Sequence, residues 1–372
     1  MFEIMNRAAA IERNKNKKVI HLEIGNTSYF SNNKLIEILK NKISKNNIDY
    51  VPSEGLLSLR KKISEIFSKI LNAKYTHENI IISSANSLIT KFLNAVTEKK
   101  DVILLPSPCF STYLLSAKFL ELEVCYYPLN EKDNWQPDTS FINDVIKKKN
   151  IKAMVVNSPS NPLGKKINND ILKEINKICI LNKTFLLIDN TYAFLDFTPK
   201  ELKYKKSNYL FFIYSFSKDS SVPGLRAGFG IGDKNIINKI KDFNSMIESC
   251  YPGFIQEAIL KYLNTKDNFY IKMKNELIDR VELLASILTN TKYLKIIKPD
   301  GGIFIFIKVL IPKIDGTSFA ISLLEEKLVC VCPGKYFGSN HSKFFRLNIA
   351  ASKRDLIHAA NKIVEHSNFL AR

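Results

Sequence analysis

From about residue 80, short runs of apolar residues alternate with longer stretches in which apolar positions recur every three or four residues. The runs Ile80–Ser83, Val102–Leu105, Leu122–Tyr127, Ala153–Asn157, Phe185–Asp189 and Leu210–Ser215 predict strands. The stretches Asn86–Thr97, Phe110–Phe119, Phe141–Lys148 and Ile171–Asn182 predict the helices between them. Strands that are apolar throughout and separated by helices point to a mostly parallel sheet covered on both faces. Such sheets bind ligands at the carboxyl ends of their strands, so the loops leaving these runs are where chemistry is expected.

After about residue 264 the texture changes. A long amphipathic stretch, Asp267–Thr289, is followed by a strand pattern at Ile303–Val309, a helix near Ser318–Lys327, a strand ending at Arg346–Ile349 and a closing helix from Lys353. The expectation is an α/β protein: a large domain over 45–263 and a smaller α+β domain made from 1–44 and 264–372. No internal repeat or low-complexity linker interrupts this pattern.

Composition narrows the class. With 372 residues, 45% hydrophobic and 24% charged, the chain has ordinary globular make-up, which excludes a disordered tail or a fibrous repeat. The opening segment carries acids and Arg before any apolar run, unlike a secretory signal, and no run reaches the roughly 18 apolar residues of a membrane span. Cys109, Cys125, Cys179, Cys250, Cys330 and Cys332 show no CxxC spacing. Free thiols in a reducing, cytoplasmic setting are expected, with no membrane partner. The net charge of +19 invites a nucleic-acid reading. However, it is carried by 47 Lys against 8 Arg, scattered among many Asn and Ile. Base readers and phosphate clamps favour the planar fork of Arg, so no nucleic-acid partner is expected, and each Arg within a motif gains weight.

The strongest motif is Ser215-Phe-Ser-Lys218-Asp-Ser-Ser-Val-Pro-Gly224-Leu-Arg226-Ala-Gly228. It follows an apolar strand, which puts Lys218 at a strand's carboxyl end. A partly desolvated Lys there can lose its proton and attack a carbonyl to form a Schiff base. The nearby serines, Arg and glycines suit an anionic group such as a phosphate. A solvated loop Lys is the plainer reading for any one of 47, and the spacing of Lys, Gly, Arg and Gly is what weighs against it.

This segment resembles the lysine region of the class I/II aminotransferases, the fold-type I enzymes that use pyridoxal 5′-phosphate. Other segments match the same family in order. Ser158-Pro-Ser-Asn161-Pro162-Leu163-Gly164 resembles its S-x-x-N-P-T-G loop, with Leu163 for Thr, and Asp189-Asn-Thr-Tyr192 resembles its D-x-x-Y. Tyr50, Gly55, Leu59 and Arg60 stand as in its Y-x-x-x-x-G-x-x-x-L-R. Arg346-Leu-Asn-Ile-Ala resembles its C-terminal R-[LI]-x-x-[AS] strand, and His21-Leu-Glu-Ile-Gly25 its entry segment.

The resemblance implies roles. Lys218 would carry the coenzyme, Asp189 would hold the ring nitrogen protonated, and Asn161 and Tyr192 would donate to the ring's phenolate oxygen. Phe110 would stack on the ring, with Tyr113 as the alternative stacker. Ser84, Ala85, Asn86, Ser215 and Arg226 would form the phosphate site, where Ala85 replaces the family's usual glycine. Tyr50 would reach the phosphate of a partner subunit, which implies a homodimer. Arg346, with Asn161 beside it and Gly25 leaving room, would hold the substrate's α-carboxylate. The lid segment Asn26-Thr27-Ser28-Tyr29 departs from the family's common E-P-D or N-P.

The resemblance therefore implies an aminotransferase moving an amino group between an amino acid and a 2-oxo acid through a Lys218 Schiff base. A decarboxylase, β-lyase, oxidase or cyclase on the same fold is the alternative, kept open by the altered phosphate loop and lid. A basic binding protein without catalysis is disfavoured by the joint presence of Lys218, Asp189, Asn161, Tyr192, Arg226 and Arg346.

Overall fold

The computed structural model describes every residue except 1, 16, 28, 45–48, 200–203 and 266. In chain order the strands are β1 (Ile20–His21), β2 (Ile80–Ile82), β3 (Val102–Ser107), β4 (Glu123–Pro128), β5 (Ala153–Asn157), β6 (Phe185–Asp189), β7 (Leu210–Ser215), β8 (Gly228–Ile231), β9 (Leu294–Ile297), β10 (Phe304–Val309), β11 (Val329–Cys330), β12 (Cys332–Pro333) and β13 (Phe344–Asn348).

Seven of them form one sheet in the order β2-β8-β7-β6-β5-β3-β4. β3 through β7 run parallel, and β8 alone runs antiparallel to its neighbours β2 and β7. The all-apolar runs are explained by burial on both faces. Leu186, Ile188, Leu210 and Phe212 pack into one layer, whereas Leu187, Phe211 and Ile213 pack into the opposite one. The helices Ala85–Val96 and Lys234–Ile247 cover the second face, and Leu57–Ile70, Asn169–Leu181 and Gly253–Leu263 cover the first.

Every strand and helix read from the hydropathy pattern is present, with ends shifted by one or two residues. Asn86–Thr97, for example, is the helix Ala85–Val96, capped by Ser84 through its oxygen and the Ser87 N–H. β8 escapes the pattern because its Gly-Phe-Gly-Ile carries too few side chains to show a period. Its glycines answer to neighbours instead: a Cβ at Gly230 would lie 2.4 Å from the Phe211 ring, and one at Gly228 would lie 2.7 Å from the Tyr214 carbonyl.

β12, β13, β10 and β9 form an antiparallel sheet. Against it pack the helices Phe269–Leu288, Gly316–Lys327 and Lys353–Leu370, around a core that includes Leu277, Leu284, Phe319, Phe345 and Ile363. β1 pairs in parallel with β11, and Ile4 and Ala8 of the helix Phe2–Lys15 pack with Leu324 and Cys330. The chain from Leu22 to Asn32 then crosses to the larger sheet. Along the way Thr27 and Asn32 bond the carbonyls of Ser217 and Ser220, and the Thr27 carbonyl accepts from the Ser221 hydroxyl. No helix among the described residues is long and apolar enough to cross a membrane.

Candidate active site

Adjacent strands of the larger sheet end in polar residues: Asn157 on β5, Asp189 on β6 and Ser215 on β7. Asn157 and Asp189 are register partners, and the Asn157 amide donates to the Asp189 carbonyl at 2.9 Å. A cavity of about 330 Å³ opens over these ends. Its walls bring together Gly25, Ala85, Asn86, Phe110, Asn161, Asp189, Tyr192, Ser215, Lys218, Arg226 and Arg346, residues drawn from seven separate sequence segments.

Lys218 sits in the single helical turn Phe216–Asp219 that follows β7. Its Nζ donates to the Gly25 carbonyl at 2.6 Å. Burial, then the positive charges of Arg346 and Arg226, pull this ammonium down to about 8. A larger fraction is therefore the free amine near neutrality than for a solvated Lys.

Asp189 is 4% exposed and accepts three hydrogen bonds: from the Tyr113 hydroxyl at 2.7 Å, the Thr191 hydroxyl at 2.6 Å and the Thr191 N–H at 3.0 Å. Burial pushes its carboxyl up, against the opposing pull of those bonds. It forms no ion pair among the described residues. A carboxylate desolvated in this way and still lacking a cation suits a protonated ring nitrogen. Tyr113 is fully buried with its hydroxyl on Asp189, and the T-shaped contact with Phe110 leaves the half-buried Phe110 ring at the cavity wall. Both rings line the cavity, and the Tyr113 hydroxyl is committed to Asp189.

Arg346, on β13, is 2% exposed. Nη1 donates to Asn161 Oδ1 at 2.8 Å and Nη2 to the Glu23 carbonyl at 2.5 Å, while the guanidinium lies 3.8 Å from the centre of the Phe304 ring. Its Nε is buried without a partner. Gly25 is required here by close approach, since a Cβ would come within 2.7 Å of Phe304 and 3.4 Å of the Lys218 amine.

At the opposite end of the cavity, Ala85 and Asn86 begin the helix Ala85–Val96. Its first N–H groups and dipole make an anion site, and no acidic residue occupies its first turn. Ala85, which stands for the family's usual glycine, needs no positive φ here: Ser84 is extended at φ −67° and Ala85 is helical. Arg226 itself is left-handed, at φ +56°, and closes the turn Pro223–Leu225 beside the cavity.

Two anticipated residues do not line this cavity. Ser84 caps the helix instead, and Tyr50 is 88% exposed. Ser28 of the lid lies outside the described residues. The rest of the Tyr50 motif is scaffolding. Arg60 is buried and donates to the carbonyls of Gly55 and His77, while Gly55, at φ +101°, passes so close to Ile82 that a Cβ would clash at 2.3 Å. Leu163, which stands for the family's Thr, is fully buried in the core beneath the loop. Thr191, Asn157, Ser217 and Phe304 also line the cavity and were not singled out from the sequence. Thr191 and Asn157 lie inside or just before recognised motifs, which was the available signal. Phe304 had none beyond its apolar strand.

A seven-stranded, mostly parallel sheet with a lysine at one strand end and a carboxylate at the next defines a fold-type I, pyridoxal-phosphate-dependent enzyme. The family model for "Aminotransferase class I and II" matches residues 17–363, and the chain belongs to that family. It is an aminotransferase dependent on pyridoxal 5′-phosphate. Among curated relatives it is 27% identical to an aspartate aminotransferase of Pyrococcus horikoshii, over 97% of this chain and 92% of that one. It is 28% identical to a (5-formylfuran-3-yl)methyl phosphate transaminase of Methanocaldococcus jannaschii, over 99% and 97% of the two chains. The fold matches an aspartate aminotransferase structure from Thermotoga maritima with a TM-score of 0.91 at 23% identity, covering 100% of this chain and 96% of that one.

Proposed function

We propose that Lys218 holds the coenzyme, that Arg346 holds the substrate's α-carboxylate, and that two copies of the chain share each site. Bound there, pyridoxal phosphate supplies an electron sink for the bond broken at the substrate's α-carbon. Asp189 keeps a proton on the ring nitrogen by offering a desolvated negative charge. Asn161 has its Oδ1 engaged by Arg346, and its NH₂ group donates with the Tyr192 hydroxyl to the ring's phenolic oxygen. Phe110 covers one ring face. The N–H groups opening the helix Ala85–Val96, the Ser215 hydroxyl and Arg226 hold the phosphate, with Ser84 supporting them as the helix cap.

Arg346 binds the α-carboxylate with its unpartnered Nε and an adjacent Nη, a two-pronged grip for which Gly25 leaves space. Once the substrate's amino group has displaced it from the coenzyme, the Lys218 amine would be free to take the proton from the substrate's α-carbon. This is general base work, for which an amine near 8 is well placed. The observation that carries the reading is the position of Lys218: a half-desolvated amine in one cavity with the Asp189 carboxylate and the Arg346 guanidinium.

The exposed Tyr50 supports the homodimer, since a ring 88% open in one chain is free to enter a partner's site. Most apolar residues of the smaller sheet and its helices pack in a cluster of their own, which supports a division into a large domain over 45–263 and a small one from 1–44 and 264–372, although Leu35, Ile38, Phe306 and Phe344 pack with the larger sheet's core and residues 45–48 lie outside the described ones. A cytoplasmic location and freedom from nucleic acid follow the free thiols and the dispersed lysines. The deciding experiment presents the purified enzyme with a panel of amino acids. A released 2-oxo acid together with the amine form of the coenzyme supports transamination, whereas an amine released with carbon dioxide would mean decarboxylation. Mixing inactive Tyr50→Ala and Lys218→Ala chains should restore part of the activity. No recovery after verified subunit exchange would remove the shared site.

A further inference from the structure

Outside the cavity, His21, Glu23 and Cys330 converge where β1 meets β11. His21 and Cys330 are register partners across that pair, and the ligand atoms of all three residues lie within 4.8 Å of one another. The His21 imidazole bridges two carboxylates: Nδ1 is 2.9 Å from Glu23 Oε1 and Nε2 is 3.4 Å from Glu12 Oε1. Glu12 is held in place by the Val19 N–H at 3.1 Å. Glu23 is fully buried, and its second oxygen, Oε2, has no hydrogen-bond partner. Cys330 is also fully buried, and its thiol donates a long hydrogen bond of 4.0 Å to the Ile4 carbonyl. The transamination described above uses none of these side chains.

We propose that His21, Glu23 and Cys330 bind one divalent transition-metal ion of the zinc kind, with water in the fourth position. The donor set of one imidazole, one thiolate and one carboxylate suits zinc and not magnesium or calcium, which take oxygen ligands. Tetrahedral zinc, with bonds of about 2.0–2.3 Å, sets its donors about 3.3–3.8 Å apart. The present spread of up to 4.8 Å therefore needs to close by about an ångström, and the His21 side chain, 38% exposed, has room to move. Binding replaces the Cys330 S–H bond with a metal–sulfur bond and releases that proton to water, with a second from His21 where it is protonated. Glu23 Oε2 gains the cation it lacks. The ion would staple β1 to β11, just where the Glu23 carbonyl accepts from Arg346.

The holoenzyme, dialysed against low-micromolar zinc chloride and then against metal-free buffer, should retain one zinc per chain and show a raised Tm. His21→Ala and Cys330→Ser should each weaken zinc binding by more than about tenfold and abolish that rise. Because Cys330 is fully buried, His21→Ala at its half-exposed position provides the variant least able to disturb the fold. In weakly buffered solution, zinc should release at least one proton per chain, and Cys330→Ser should remove that release. Failure of the wild type to retain zinc overturns the proposal and leaves His21–Glu23 as a simple ion pair. Equal retention by both variants, or binding without proton release, overturns it as well.

Discussion

Asp189 and Arg346 are both more than nine-tenths buried, both charged and both open to one cavity, yet they are furnished differently. Asp189 sits at the end of a central strand and accepts from Tyr113 and twice from Thr191. Arg346 sits on the smaller sheet, with two of its nitrogens engaged and Nε left without a partner. The carboxylate is locked in orientation and lacks only a cation. The guanidinium is oriented by two acceptors and stacked on Phe304, and it still lacks an anion. A permanently bound group is expected at the first site and an exchanging one at the second. Orientation at Asp189 should therefore be felt in turnover and at Arg346 in KM.

Lys218, which lines the same cavity, should dominate any variant series. Lys218→Ala is expected to lower turnover on the order of 10⁴-fold or more, because both the attachment point and the proton carrier disappear. Borohydride should fix the coenzyme on Lys218 in the wild type, and labelling of another lysine would sink the assignment.

Asp189→Asn comes next. Asn can accept a hydrogen bond but cannot hold the ring nitrogen protonated, so turnover should fall on the order of 10² or more while coenzyme affinity changes less. Near-normal turnover would reduce Asp189 to a structural strand end.

Arg346→Lys should raise KM for amino acids about 10- to 100-fold with a smaller change in kcat, the equivalent of losing one charged hydrogen bond of a pair. An equal fall in kcat would break the comparison, because Arg346 would then act in the chemistry itself.

Tyr113→Phe tests the furnishing and not the charge. Thr191 still supplies two donors, so a fall in turnover of no more than about tenfold is expected. A loss as large as that of Asp189→Asn would show that Tyr113 sets the carboxylate's orientation alone.

The smallest effect concerns pH. Reaction of the coenzyme-free Lys218 with an amine-directed acylating reagent, read by peptide mass spectrometry, should be half-maximal near pH 8. The sign follows from burial: the neutral amine is favoured in the folded chain, so reactivity appears at lower pH than for solvated lysines. The same depression makes the folded apoprotein bind fewer protons than the unfolded chain between pH 8 and the usual lysine value. Its stability should rise with pH across that window. A midpoint shared with the surface lysines would mean that Lys218 is solvated.

Much of this protein could be read directly from its sequence. The runs from Ile80 to Ser215 are apolar throughout because both faces of the larger sheet are covered, and that burial leaves an unambiguous record in composition. Lys218, Asp189, Asn161 and Arg346 were legible because each stands in a short motif whose spacing follows from one strand and the loop after it. Other features depended on the assembled fold. β8 is a strand because Gly228 and Gly230 let it lie against Tyr214 and Phe211, a requirement set by neighbours in space. Tyr113, read as an alternative stacking ring, donates its hydroxyl to Asp189 from 76 residues away along the chain. Phe304 and Glu23 orient Arg346 from positions 42 and 323 residues away along the chain. Local spacing encodes what one strand and its loop can carry. Contacts between segments so far apart in sequence leave no period in it, and only packing of the two sheets brings them together.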